Sequence, residues 1–191
     1  SEILEKQKNI FIKQYNFALK HGLPIVIHVR EAYEEMVEVL RELPLLGGVR
    51  GGLQQDKTFN PTERPHPASP KRGGIRGVVH CYSSNWQNAK QFLDMGFYLG
   101  FTGVITFPAR KSNPQPTLDL LEVVQKCPLD RILVETDAPY LAPQAYRGER
   151  AEPWMVEEVV KKIAEIKHQS VEEIEKIILE NTLRLFRKIK V

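Results

Sequence analysis

The sequence contains no run of about 18 apolar residues, has only two cysteines, and shows no apolar stretch behind its first residues, SEILEKQKN. The first absence removes support for a bilayer-spanning helix. The last removes support for a secretory leader, so a cytoplasmic location and no membrane partner are the expectation. Cys81 and Cys127 stand 46 positions apart with no CxxC pair, which argues against a disulfide framework or a thiolate zinc site and predicts two reduced core thiols. Glycine and proline, at 12 and 13 residues, stay well below collagen-like or low-complexity levels. What remains is a chain of 191 residues, 42% hydrophobic and 27% charged with a formal charge of +3, the profile of one globular domain over 1–191. Helical periodicity begins at once behind Ser1 with no strand before it, which leads us to expect a piece of a longer protein.

The positive charge is unevenly spread. Residues 44–77 hold six basic side chains (Arg50, Lys57, Arg64, Lys71, Arg72, Arg76) against Asp56 and Glu63, so everything outside this segment sums to −1. The same segment carries seven of the 12 glycines and five of the 13 prolines. Such a composition buries too little apolar surface to offset its ordering entropy, and it reads as a mobile basic insertion. Either it touches phosphates or its cations merely keep it solvated.

Elsewhere, strand and helix patterns alternate. An opening helix carries Ile3, Gln7, Ile10, Phe11, Gln14, Phe17 and Ala18 along one side and is closed by Gly22 and Pro24. The strand PIVIHV follows, then a helix over 31–43 with Ala32, Met36, Val39, Leu40 and Leu43 in a stripe. GVVHCY is a second strand, and Ser84 with Gln87 marks a capping box opening a helix that buries Ala89, Phe92 and Leu93 and ends before Gly96. FYLGFTGVITF reads as a third strand, followed by a helix begun by Pro116 with Leu118, Leu121 and Val124 inward. RILVETD is the fourth strand. Two helices end the pattern, one near 153–167 and one opened by the Ser170, Glu173 capping box. Apolar strands separated by helices indicate parallel βαβ units, hence α/β architecture. Four strands are too few to close a barrel, and as an open sheet they leave two unprotected edges.

Period-two alternation decides which residues share a face. His28 falls with Val26 and Arg30, His80 with Val78 and Tyr82, and Glu135 and Asp137 with Leu133. All lie at or near the C-terminal ends of their strands, where parallel α/β folds gather their ligand-binding loops. A single strand histidine is commonly a satisfied core residue, and an Asp before Ala-Pro is commonly a turn cap. Two imidazoles and a carboxylate at three strand ends form a ligand set for a divalent ion such as Zn, Mg or Mn, which points to metal-assisted hydrolysis. Arg30 either holds a substrate phosphate or pairs with a neighbouring glutamate. Glu135 either orients a metal ligand or partners Arg30. His21, His66 and His168 read as exposed and unspecialised.

The stretches GLPIVIHVREA, GVVHCYSSN, FYLGFTGVITF and ILVETDAPYLAP, the last followed by YRGERAEPWMV, resemble the TatD-type metal-dependent deoxyribonucleases and hydrolases, within the amidohydrolase-like TIM-barrel group. The resemblance covers most of the chain outside 44–77. It implies that these strands are the last four of a (β/α)8 barrel, that His28 and His80 are metal ligands, and that Asp137 is the last aspartate ligand and a catalytic residue. It implies two divalent ions per site and DNA phosphodiesters as substrate. The family's His-x-His pair on its first strand and its metal-bridging Glu on the fourth have no counterpart in this sequence. The expectation is therefore crippled catalysis by this chain alone, with DNA and the other barrel half, or a second copy, as partners. The rival expectation is a non-catalytic half-barrel that binds nucleic acid or self-associates.

Overall fold

The computed structural model describes residues 2–43 and 76–189. The basic insertion lies outside them except for its last two residues. Of those, Gly77 belongs to a strand. His66 also lies outside the described residues.

Helix α1 (Glu2–Lys20) leads into β1 (Ile25–His28) through a turn at Gly22, which has φ +59°, a conformation open to glycine without strain. Then come α2 (Tyr33–Glu42), β2 (Gly77–His80), α3 (Trp86–Asp94), β3 (Tyr98–Phe101), α4 (Gln115–Lys126), β4 (Ile132–Val134), α5 (Val156–Lys167) and α6 (Val171–Leu185). The four strands form one parallel sheet in the order β1-β2-β3-β4, with His28 level with His80 and Phe101 level with Val134. All six helices feed buried residues into one core against one face of this sheet, among them Tyr15, Val37, Phe92, Val123, Ile163 and Ile174, packed on Val79, Leu99, Phe101 and Ile132. A doubly wound sheet puts helices on both faces and reverses its strand order at a switch point. Among the described residues this sheet does neither; it is singly wound, the winding also used by α/β barrels.

The opposite face is thinly covered. Val78, Tyr98 and Leu133 pack beneath Leu185 and Phe186 at the N-terminal end of the strands, while Val26 is 59% exposed. Arg131, buried before β4, lies with its guanidinium carbon 5.1 Å above the Tyr98 ring. Asn181 of α6 is buried and donates to the carbonyls of Leu129 and Ile132 at 2.8 and 2.9 Å, which ties α6 to the root of β4. Periodicity alone does not reveal such a buried amide.

Several sequence expectations are corrected. Of the side predicted for α1, Ala18 is buried and Phe11 packs on the core as expected, whereas Ile3, Ile10 and Phe17 face solvent and Tyr15, outside that side, is buried. The buried stripe runs through Tyr15 at the same helical period and leaves Gln7 and Gln14 in solvent. Asn85, not Ser84, caps α3, its side chain accepting from the Asn88 N–H at 3.0 Å. In α4, Leu118 is 50% exposed and Leu120, Val123 and Val124 are buried. The third strand stops at Phe101, and Gly103–Thr106 turns as a 3-10 segment. At Gly103 a Cβ would come within 2.5 Å of the Leu141 carbonyl, so the chain bends there to let the loop after β4 approach. The Ser170, Glu173 capping box is formed as the sequence indicates. Cys127 is buried and free, whereas Cys81 is free but only half-buried at the strand rim.

Candidate metal centre

The C-terminal rim of the sheet gathers the polar residues. His28 ends β1 and is exposed; His80 ends β2 in register with it, and the two imidazole centroids lie 5.9 Å apart. Glu135 and Asp137 follow β4. The Glu135 carboxylate accepts from His80 Nδ1 at 2.7 Å and from the Cys81 backbone N–H at 2.8 Å. Asp137 Oδ1 lies 2.8 Å from His80 Nε2. Burial alone would lower the His80 pKa, but the hydrogen bond and charge of Glu135, then those of Asp137, outweigh it and hold the imidazole above its ordinary range.

Glu135 takes this position only because Gly100 lies beneath it. A Cβ on Gly100 would fall 1.8 Å from Glu135 Oε1, closer than any contact, so a side chain there forces the carboxylate away from His80. Gly100 is a site residue that sequence reading missed. Its only signal was a glycine inside a strand, a mark of close approach.

The donor chemistry fits a divalent ion. Two imidazoles and a carboxylate suit such a metal, and Glu135, by engaging Nδ1, leaves Nε2 as the His80 atom for a ligand, the arrangement typical of metal-bound histidine. Among the described residues no group of three or more His, Cys, Asp or Glu is drawn close enough to hold an ion by itself. His80 and Asp137 meet at 2.8 Å, with the His28 ring 5.9 Å from that of His80. Arg30 is exposed just past β1. The reading of Glu135 as its partner is overturned, because that carboxylate is engaged by His80 and Cys81. His21 is exposed and packs on Phe17 at 4.3 Å between centroids. His168 is exposed as the left-handed cap of α5.

Residues 1–187 match the family described as TatD related DNase. The chain belongs to that family. Among curated relatives, the uncharacterized metal-dependent hydrolase YabD of Bacillus subtilis is 36% identical over 181 residues, covering 95% of this chain and 58% of its own. YcfH of Escherichia coli K12, also described as an uncharacterized metal-dependent hydrolase, is 32% identical, covering 95% and 56%. The crystal structure of YJJV, a TatD homolog from Escherichia coli K12, superposes with a TM-score of 0.71 at 24% identity over 97% of this chain and 58% of that one. That likeness shows the fold. The chain spans somewhat over half the length of the curated relatives it matches. No helix among the described residues is long and apolar enough to cross a membrane.

Proposed function

We propose that this TatD-family chain contributes one half of a (β/α)8 barrel to a divalent-metal-dependent hydrolase that cleaves DNA phosphodiesters, with His28, His80 and Asp137 as ligands and Arg30 beside the substrate phosphate. The observation that carries the reading is the chain of contacts Cys81 N–H to Glu135 to His80 to Asp137 at the sheet rim. Consecutive strand order and helices on one face support the half-barrel assignment, as does the share of the relatives' length that is matched.

A bound divalent ion supplies Lewis acidity toward a phosphoryl oxygen and makes water acidic enough to react near neutral pH. The protein's part is orientation and proton bookkeeping. Glu135 fixes the His80 ring by its Nδ1, and the proton on Nε2, held against Asp137 Oδ1, leaves before that nitrogen serves as a ligand. Because Glu135 and Asp137 raise the His80 pKa, metal affinity rises with pH through that titration. Asp137 then offers its freed carboxylate. Arg30, exposed and always charged, is placed to meet phosphate.

The test is calorimetry with Mn and Zn alongside hydrolysis of labelled DNA by the 191-residue chain. The expected outcome is weak metal binding lost in His80→Ala, and slow cleavage. Cleavage that survives His80→Ala undiminished overturns the site.

One observation favours a second reading, self-association. Ile3, Ile10 and Phe17 of α1 are 72%, 47% and 59% exposed, and Val26 of β1 is 59% exposed. Paired copies would cover these surfaces. Light scattering after size exclusion decides it, a monomer at all concentrations removing this reading.

A further inference from the structure

The loop between Asp137 and α5 carries side chains that the metal chemistry does not use. Tyr140 is 74% exposed and Trp154 52% exposed, and the Trp154 ring meets Tyr146 edge-on with centroids 5.1 Å apart. Arg147 lies with its guanidinium carbon 4.3 Å over the Phe107 ring and makes no ion pair among the described residues. Arg150 is exposed, with Nε 3.6 Å from Glu152. Tyr140 and Trp154 thus bracket two arginines on one loop, with both rings exposed.

Three features make this loop a rigid display. Gln144 N–H donates to Thr106 Oγ1 at 2.8 Å, and that hydroxyl donates to the Gly103 carbonyl at 2.6 Å. Ala151 N–H donates to the Pro139 carbonyl at 3.1 Å, which folds the Arg150 end of the loop back onto the Tyr140 end. Beneath, Ala142, Ala151 and Met155 form a small core on which Tyr146 packs. Tyr140 is also fastened to the metal centre, its N–H donating to the Asp137 carbonyl at 2.8 Å. A loop backbone held this way has little entropy left to lose on binding.

We propose that Tyr140 and Trp154 form a base-stacking platform for single-stranded DNA, with Arg147 meeting its backbone, beside the Asp137 rim. Every base offers a π-face, so such a platform tolerates any sequence. Glu149 and Glu152 lie in the same loop and offset its two arginines, so stacking rather than net charge supplies the attraction, and the salt dependence is shallow compared with that of phosphate-dominated binding. A duplex, whose bases are already stacked, is a poor ligand. The proposal deepens the DNA reading above and rests on it for the substrate class, but it stands or falls without catalysis.

The experiment is fluorescence anisotropy of a labelled oligothymidylate with the full chain in EDTA, so that no metal contributes. Tyr140→Ala and Trp154→Ala each weaken binding roughly tenfold, Trp154→Phe retains it, and an abasic strand of equal length or a duplex binds poorly. Ser170→Ala, at the exposed cap of α6 and away from this loop, binds like the wild type. If both alanine variants bind as tightly as wild type, or the abasic strand binds equally well, the platform is wrong even where the chain cleaves DNA. If no single strand binds at all, the platform is also wrong. Stacking that passes these tests in a chain whose Mn and Zn binding is unaffected by His80→Ala overturns the metal site of the hydrolase reading and leaves the platform intact.

Discussion

The two ends of the sheet solve opposite problems. At the C-terminal end, His80 is held between Glu135 and Asp137, a charge-compensated group left partly open to solvent. At the N-terminal end, Val78, Tyr98 and Leu133 are sealed by Leu185 and Phe186, while Asn181 pins β4 to α6. The rim leaves its polar groups partly open to water, each engaged by another polar group. The base hides them because every unpaired polar group buried there costs stability. The contrast follows the general division of α/β barrels into a reactive face and a stabilising one.

The comparison breaks if rim changes unfold the chain or base changes impair the metal. The largest effect is expected for His80→Ala, with metal affinity falling more than about 100-fold while the urea midpoint shifts little. Asn181→Leu comes next: it strands the Leu129 and Ile132 carbonyls at a cost of about 2 kcal/mol, read by urea unfolding, with metal affinity unchanged once the protein is folded. Gly100→Ala displaces Glu135 from His80, and metal affinity falls roughly 10-fold. Loss of the Nδ1 contact in the imidazole NMR signals would identify the cause, since a merely loosened fold would not move that resonance selectively. Smaller again is Ser170→Ala, which removes the α6 cap and about 1 kcal/mol.

A pH titration sharpens the same contrast. In metal-free protein the His80 pKa is raised, because Glu135 and Asp137 together outweigh the opposing effect of burial. A group raised on folding adds stability that is fully present below the ordinary imidazole pKa of about 6.5 and is lost as pH climbs through the folded value. His80→Gln should flatten that stretch of the stability curve. An unchanged curve would show that the rim network does not bear on folding at all.

What could be read beforehand differs between the two ends for a physical reason. Strand alternation placed His28, His80, Glu135 and Asp137 together, because a period of two fixes a face whatever the partner strand. Helical periodicity misplaced part of α1, where Ile3, Ile10 and Phe17 fit the same spacing as the stripe through Tyr15. Strand patterning carried the third strand past Phe101, since an apolar run reads alike in a strand and in a buried 3-10 turn. The choice between the two readings of Glu135 needed distances. Gly100 and Asn181 act through contacts with residues 35 and more positions away in sequence, so no local pattern reports them.

The amino-acid order by itself set the alternation of helix and strand, the face on which each strand puts its polar residues, and the family. Tertiary packing alone decided that the helices share one side of the sheet, that Glu135 serves His80 and not Arg30, and that Tyr140 and Trp154 stay in solvent. Local periodicity depends on bonds within a few residues, whereas those outcomes depend on which distant surfaces exclude water together.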